Sequence, residues 1–384
     1  MSKLLSQGGF GCVYHPGIKC DGSKDKKNFV SKLQINNYAS FNEIEIGKII
    51  EKIPNYELFF LPIIEYCKIN IAEIDNKLIE KCNTLHDNTN LVLMKMNYIK
   101  NIDFYDFIDQ INKPLIISSI MNLYLSLLTS IELLTNKNIV HYDLKDENIL
   151  LDKKNKNPII IDFGISLNMN EFTLEKIEDF FYVYAPEYYI WSFDIHFICF
   201  LTKNIPYDTQ VVTEEDIKSV VNECVKNNKI LTFFSDEFIA SYKQQCMDFT
   251  SEFKNKTKRE VIKKLTEKKN YDTWDNYAIS CIILKSIHYI FGKGYISIDF
   301  FKKIIQILLV NIHPDPSRRY SIKQTKGKIN AIMENMDTSV EDIFTLIKHV
   351  SIDKNIIHVK ITEDNKTIQD ISKTIKGSNK MKLK

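Results

Sequence analysis

The stretch His141-Tyr142-Asp143-Leu144-Lys145-Asp146-Glu147-Asn148 gathers carboxylates, a lysine and an amide, and a further aspartate opens Asp162-Phe163-Gly164 shortly afterwards. Those residue types suit transfer of a phosphoryl group, whose charge must be neutralised while attacking and leaving oxygens stay nearly in line. Asp143 can accept a hydrogen bond from an attacking hydroxyl, orient it and take its proton late. Lys145 can reach the transferring phosphate. Asn148 offers an amide oxygen and Asp162 a carboxylate, the hard donors that magnesium prefers, so both are candidate ligands for metal bridging nucleotide phosphates.

Residues 4 to about 100 alternate short β-rich runs with turns, among them Cys12-Val13-Tyr14, Phe29 to Leu33 and Leu91 to Met96. One helical pattern interrupts them, with Ile46, Ile49 and Ile50 at i, i+3 and i+4. From Pro114, which suits a first helical turn, Ile117, Ile120, Met121, Tyr124, Leu127, Leu128 and Ile131 keep helical spacing. The apolar runs Ile149 to Leu151 and Ile159 to Ile161 follow the polar loop, and mainly helical patterns continue to about residue 330. The expected fold class is α+β, with a small β-rich lobe over 1–100 and a larger α-rich lobe over 101–330. The Lys-rich stretch within 190–270 reads as an insertion of surface helices, and 331–384 as a polar C-terminal extension.

The catalytic and metal-loop segments resemble the eukaryotic-type protein kinase superfamily, whose loops read H-R-D-L-K-x-x-N and D-F-G. The resemblance covers roughly residues 4 to 330 and implies a bilobal kinase-like fold, with ATP and Mg2+ as cofactors and a protein as substrate. It makes Ser6-Gln7-Gly8-Gly9-Phe10-Gly11-Cys12-Val13-Tyr14 the nucleotide-covering glycine loop, with Ser6 where the first glycine normally stands. It makes Lys32 the third-strand lysine and Glu43 its helix partner, Glu45 being the fallback. Met96 would back the adenine pocket, with Asn97, Tyr98 and Ile99 as the hinge.

Ala185-Pro186-Glu187 matches the family's A-P-E, whose glutamate would pair with Arg319 in the late D-P-x-x-R context. Asp194 and Asp275 are candidates for the aspartate that braces the catalytic loop. Asp275, much nearer to Arg319 along the chain, is the choice. The Asp-Leu-Lys-x-x-Asn form is similar to that of serine/threonine kinases, although the threonine they often carry before A-P-E is missing from Phe180 to Tyr184. Tyr142 stands where many kinases place an arginine that binds a phosphorylated activation loop, so activity is expected not to depend on phosphorylation of Thr173 or Ser166. The inserted stretch and the Lys- and Ile-rich style resemble kinases encoded by large DNA viruses of eukaryotes. A nucleotide-binding scaffold without transfer is the alternative function.

Bulk properties agree with an enzyme-sized globular body: 384 residues, 44% of them hydrophobic, with 51 Lys and Arg against 49 Asp and Glu. So balanced a charge gives no global field toward nucleic acid or an anionic membrane. The cluster Lys254, Lys256, Lys258, Arg259, Lys263 and Lys264 reads as a solvated helix face. The cysteines (Cys12, Cys20, Cys67, Cys82, Cys199, Cys224, Cys246, Cys281) show no C-x-x-C pair and are expected to be reduced thiols. The short N-terminus lacks a signal-peptide core, and no long uninterrupted apolar run occurs. A cytoplasmic location follows as the expectation, in a host cell or a virion if the protein is viral.

Overall fold

A computed structural model describes residues 2–7, 11–83, 90–104, 106–107, 115–291, 299–334, 366 and 368–371. The chain is a mixed α/β structure, β-rich toward its N-terminus and helical beyond, and it divides into two compact units. The first combines residues 1–109, 147–168 and 363–384; the second combines 110–146 and 169–362.

The first unit is built on an antiparallel five-stranded sheet in the order β1 (Lys3–Gln7), β2 (Gly11–His15), β3 (Phe29–Ile35), β5 (Leu91–Asn97), β4 (Glu65–Ile69). Register decides which side chains share a face. Val13 lies opposite Lys32 and Lys32 opposite Met94, whereas Cys12 lies opposite Leu33 and Leu33 opposite Leu93. Because side chains alternate along a strand, these two rows face opposite ways. The Lys32 face carries Val30, Val92, Met94 and Met96 and is covered by Ile44 of helix α1 (Tyr38–Ile50). The Leu33 face is buried under residues 70–83, through Ile74, Leu78 and Cys82.

Two disulfides, Cys12–Cys82 and Cys20–Cys67, clip that covering segment and the β2–β3 connection to the sheet. The expectation of eight reduced thiols is therefore corrected. Their sequence separations of 70 and 47 carry no local spacing signal. Only the folded chain brings the partners together, since Cys12 and Cys67 lie on strands while Cys82 and Cys20 lie in connecting segments. Cys199, Cys224, Cys246 and Cys281 are free and buried. Titration of the denatured protein without reductant should find the thiols of these four alone. Reduction should lower stability by roughly 2–4 kcal/mol per bridge, by freeing the unfolded chain. Finding all eight thiols free in the native-purified protein would contradict the pairing.

A second, three-stranded antiparallel sheet in the same unit joins β6 (Asn101–Ile102), β7 (Ile149–Asp152) and β8 (Pro158–Ile160). Its hairpin, with Ile149 opposite Ile160, presents the ends that flank Asn148 and Asp162.

The second unit is helical. Its long helix over Ile116–Thr135 packs against those over Trp274–Phe291 and Ile322–Glu334. By length and composition alone Ile116–Thr135 could cross a membrane, although polar residues interrupt it; Leu127, Leu128, Ile131 and Leu134 are fully buried in the protein core. Pro114, expected to open this helix, lies outside the described residues. Buried Tyr124, Ser280 and Asn311 satisfy one another by hydrogen bonds of 3.0–3.1 Å, tying two of these helices to that over Asp299–Asn311.

The stretch expected as an insertion forms helices over Phe193–Asn204, Glu214–Asn227, Asp236–Ser251 and Lys258–Leu265. The side chains of Thr213, Ser235 and Thr257 cap the last three at their N-termini. The first is buried almost throughout, so the surface character begins beyond Asn204. Lys258 also departs from the solvated-face expectation: it is buried and donates to the Ile205 carbonyl at 2.8 Å.

Candidate active site

In the first unit, Lys32 Nζ lies 2.7 Å from Glu43 Oε2 and 3.3 Å from Asp162 Oδ1. Helix α1 sets Glu43 in place: Asn37 and Ser40 form a reciprocal cap at its start, and Glu43 then falls on the buried face. Glu45, the fallback, is half-buried and pairs with Lys48 instead. Asp162 adopts a left-handed backbone at φ 65°, an uncommon conformation for a residue with a side chain and one that clusters at functional sites. Asn42 holds the segment after it, donating to the carbonyls of Phe163, Gly164 and Ser166 at 3.3, 3.2 and 2.9 Å. Sequence reasoning missed Asn42. Its position one residue before Glu43, on a buried face where an amide needs partners, was the available signal.

The Asn148 carbonyl accepts from the Ile161 N–H at 3.0 Å, which fixes the Asn148 turn beside the start of the Asp162 loop. An amide oxygen and a partly exposed carboxylate held in one unit suit a hard divalent cation. No cluster of three or more His, Cys, Asp or Glu that could hold a metal ion occurs among the described residues.

In the glycine hairpin, Ser6 lies opposite Val13 and Gln7 opposite Cys12. Gly8, Gly9 and Phe10 lie outside the described residues. Gly11 is required by packing, since a Cβ there would stand 2.2 Å from the Leu33 carbonyl oxygen. Val13 shares the Lys32 face. The side chains of Cys12 and Tyr14 do not: Cys12 is in a disulfide and Tyr14 donates to the Leu78 carbonyl at 2.9 Å on the opposite face. Their assignment as nucleotide contacts is corrected for the side chains, because strand alternation turns them away. Met96 is buried on the Lys32 face, and Tyr98 stacks on His15 with ring centroids 3.8 Å apart.

In the second unit, Asp143 is fully buried and accepts from Lys145 Nζ at 3.2 and 3.3 Å, and from the Tyr188 hydroxyl. The loop that carries it is braced by Asp275, which accepts from the backbone N–H of His141 at 2.7 Å and of Tyr142 at 3.1 Å. Burial pushes the Asp275 carboxyl above its usual range, opposed by His141 and the two amides. Asp146 is held by Lys285 at 3.3 Å in the buried core. Tyr142 is buried too, its ring 4.5 Å from Trp191 and edge-on to Phe181, with its hydroxyl 3.6 Å from Cys199 Sγ.

Arg319 does not pair with Glu187, which is exposed. Its partner is Asp194, 2.6 Å away, with both side chains wholly buried. The other Asp194 oxygen accepts from Trp274 Nε1 at 2.6 Å, and Arg319 also donates to Thr273 and to the carbonyls of His313 and Pro314. The letters Ala-Pro-Glu at 185–187 misdirected the expectation. The carboxylate that the guanidinium reaches sits in Ser192-Phe193-Asp194, at the start of a buried helix.

Residues 67–328 match the protein kinase domain family, and the chain belongs to it. A probable serine/threonine-protein kinase dyrk2 of Dictyostelium discoideum is 30% identical over 135 residues, 34% of this chain and 14% of that protein. The chain thus matches only about a seventh of that relative's length. The family implies ATP, a divalent metal and protein substrates. The matched span begins beyond Lys32 and Glu43, whose pairing therefore stands on the geometry alone.

Proposed function

We propose that this protein transfers the γ-phosphate of Mg-ATP to serine or threonine hydroxyls of protein substrates. The closed Lys32–Glu43 pair carries this reading, because it keeps an ammonium oriented where a phosphate-binding lysine is needed. Lys32 holds the nucleotide phosphates, and Asn148 and Asp162 bind magnesium, which when bound neutralises phosphate charge. Asp143 accepts a hydrogen bond from the substrate hydroxyl and aims its oxygen at the γ-phosphorus. As that oxygen–phosphorus bond forms, the bond to the ADP oxygen breaks, the proton passes to Asp143, and Lys145 stabilises the equatorial oxygens. Lys145 and the resemblance of its loop support serine/threonine preference. Incubation with γ-labelled ATP, magnesium and generic protein acceptors, followed by phosphoamino-acid analysis, tests this. Label on serine or threonine is expected, and label confined to tyrosine would overturn the substrate class.

Activity is proposed not to need a phosphate on the activation segment. Tyr142 fills the place of the phosphate-binding arginine with a ring packed between Trp191 and Phe181, and burial raises its hydroxyl pKa well above the usual value, keeping it neutral. The segment is tied instead to the inserted helices, through Glu175 and Arg259 at 2.8 Å. Thr173→Ala should leave kcat/KM within about threefold of wild type, since it removes only exposed contacts. Loss of turnover in a folded Thr173→Ala variant would contradict this.

A further inference from the structure

Tyr188 is fully buried and its hydroxyl donates to Asp143 Oδ1, the carboxylate that also receives Lys145. We infer that Tyr188 is a positioning residue of the phosphotransfer reaction, holding the Asp143 carboxylate oriented and ionised when Lys145 turns to the transferring phosphate. This rests on the phosphotransfer reading given above.

The chemistry calls for a second donor. Asp143 is excluded from water, and a buried carboxylate stays charged only when it is paired or hydrogen-bonded. Lys145 presently spans both Asp143 oxygens, yet the proposed reaction needs the same ammonium at the phosphate. A hydroxyl that keeps donating to Oδ1 resolves this competition, and it fixes the rotation of the carboxylate about its Cβ–Cγ bond.

The surroundings of Tyr188 are built for such a fixed donor. Its backbone N–H donates to the Ala185 carbonyl at 2.9 Å, and its ring meets Trp191 edge-on at 5.1 Å. Trp191 in turn donates its indole N–H to the Tyr142 carbonyl at 2.7 Å. The phenol is thereby anchored to the residue adjoining Asp143 in the chain, so the loop and the hydroxyl keep one register.

The test compares wild type, Tyr188→Phe, and a semisynthetic protein with 3-fluorotyrosine at 188, which keeps the donor. The hydrogen bond of a charged acceptor predicts that Tyr188→Phe lowers kcat roughly 10- to 100-fold. The KM for ATP and the melting temperature should stay near wild type, and fluorotyrosine should restore kcat. An unchanged kcat in Tyr188→Phe overturns the inference. So does a raised kcat, which would mark the hydroxyl as an obstruction, or a fluorotyrosine protein as slow as Tyr188→Phe. Wild-type turnover in the same assay reports on the phosphotransfer reading separately; its absence overturns both.

Discussion

Asp143→Asn lowers kcat by about a thousandfold or more while ATP still binds. A carboxamide preserves shape and can still accept a hydrogen bond, but it cannot take the proton of the attacking hydroxyl, and positioned proton acceptors contribute on the order of 10²–10⁴-fold. The substitution also removes the negative charge that Lys145 now contacts at 3.2 Å in a buried setting. The freed ammonium is then drawn to the phosphates, so nucleotide affinity holds or tightens while turnover falls. Steady-state kinetics with a direct measurement of ATP binding separates the two, and equal losses in both would point to a structural defect.

The second large effect is on stability. Arg319→Ala should destabilise the protein by about 3–5 kcal/mol, because it leaves the Asp194 carboxylate buried without its guanidinium. Trp274 alone would still donate to it. Replacing both members with alanine should cost less than the sum of the single changes, and denaturant unfolding of the four-variant cycle measures that coupling. Glu187→Ala, at the exposed position first expected to hold this arginine, should change stability by only about 0.5 kcal/mol or less. A large loss in Glu187→Ala with a small one in Asp194→Ala would reverse the assignment.

The same pair marks where the sequence was legible and where it was not. Asp143, Lys145, Asn148 and Asp162 stood out because their spacing is local, whereas Lys32 and Glu43 followed only from the resemblance of their segments to the kinase family. Asp275 could be chosen by its distance from Arg319, and it does accept from the catalytic-loop amides. Asp194 could not be assigned to Arg319 from the letters, since a matching tripeptide lay nearby and nothing in a sequence states which carboxylate is buried.

Strand alternation could have warned that Cys12 and Tyr14 point away from Val13, but the face each takes depends on the partner strands. The disulfides were invisible for the same reason: both join strands or segments far apart in the chain. Tyr188 was not legible because the family pattern points to a threonine over 180–184, while the donor is a different residue type on the far side of Pro186.

The most direct test of the account is the time course of γ-phosphate transfer from saturating Mg-ATP to a protein acceptor by the wild-type chain, with bound nucleotide quantified in the same sample. The account predicts label accumulating on serine or threonine over many turnovers per molecule. Nucleotide bound at one equivalent with no label transferred would contradict it and leave a nucleotide-binding scaffold in its place.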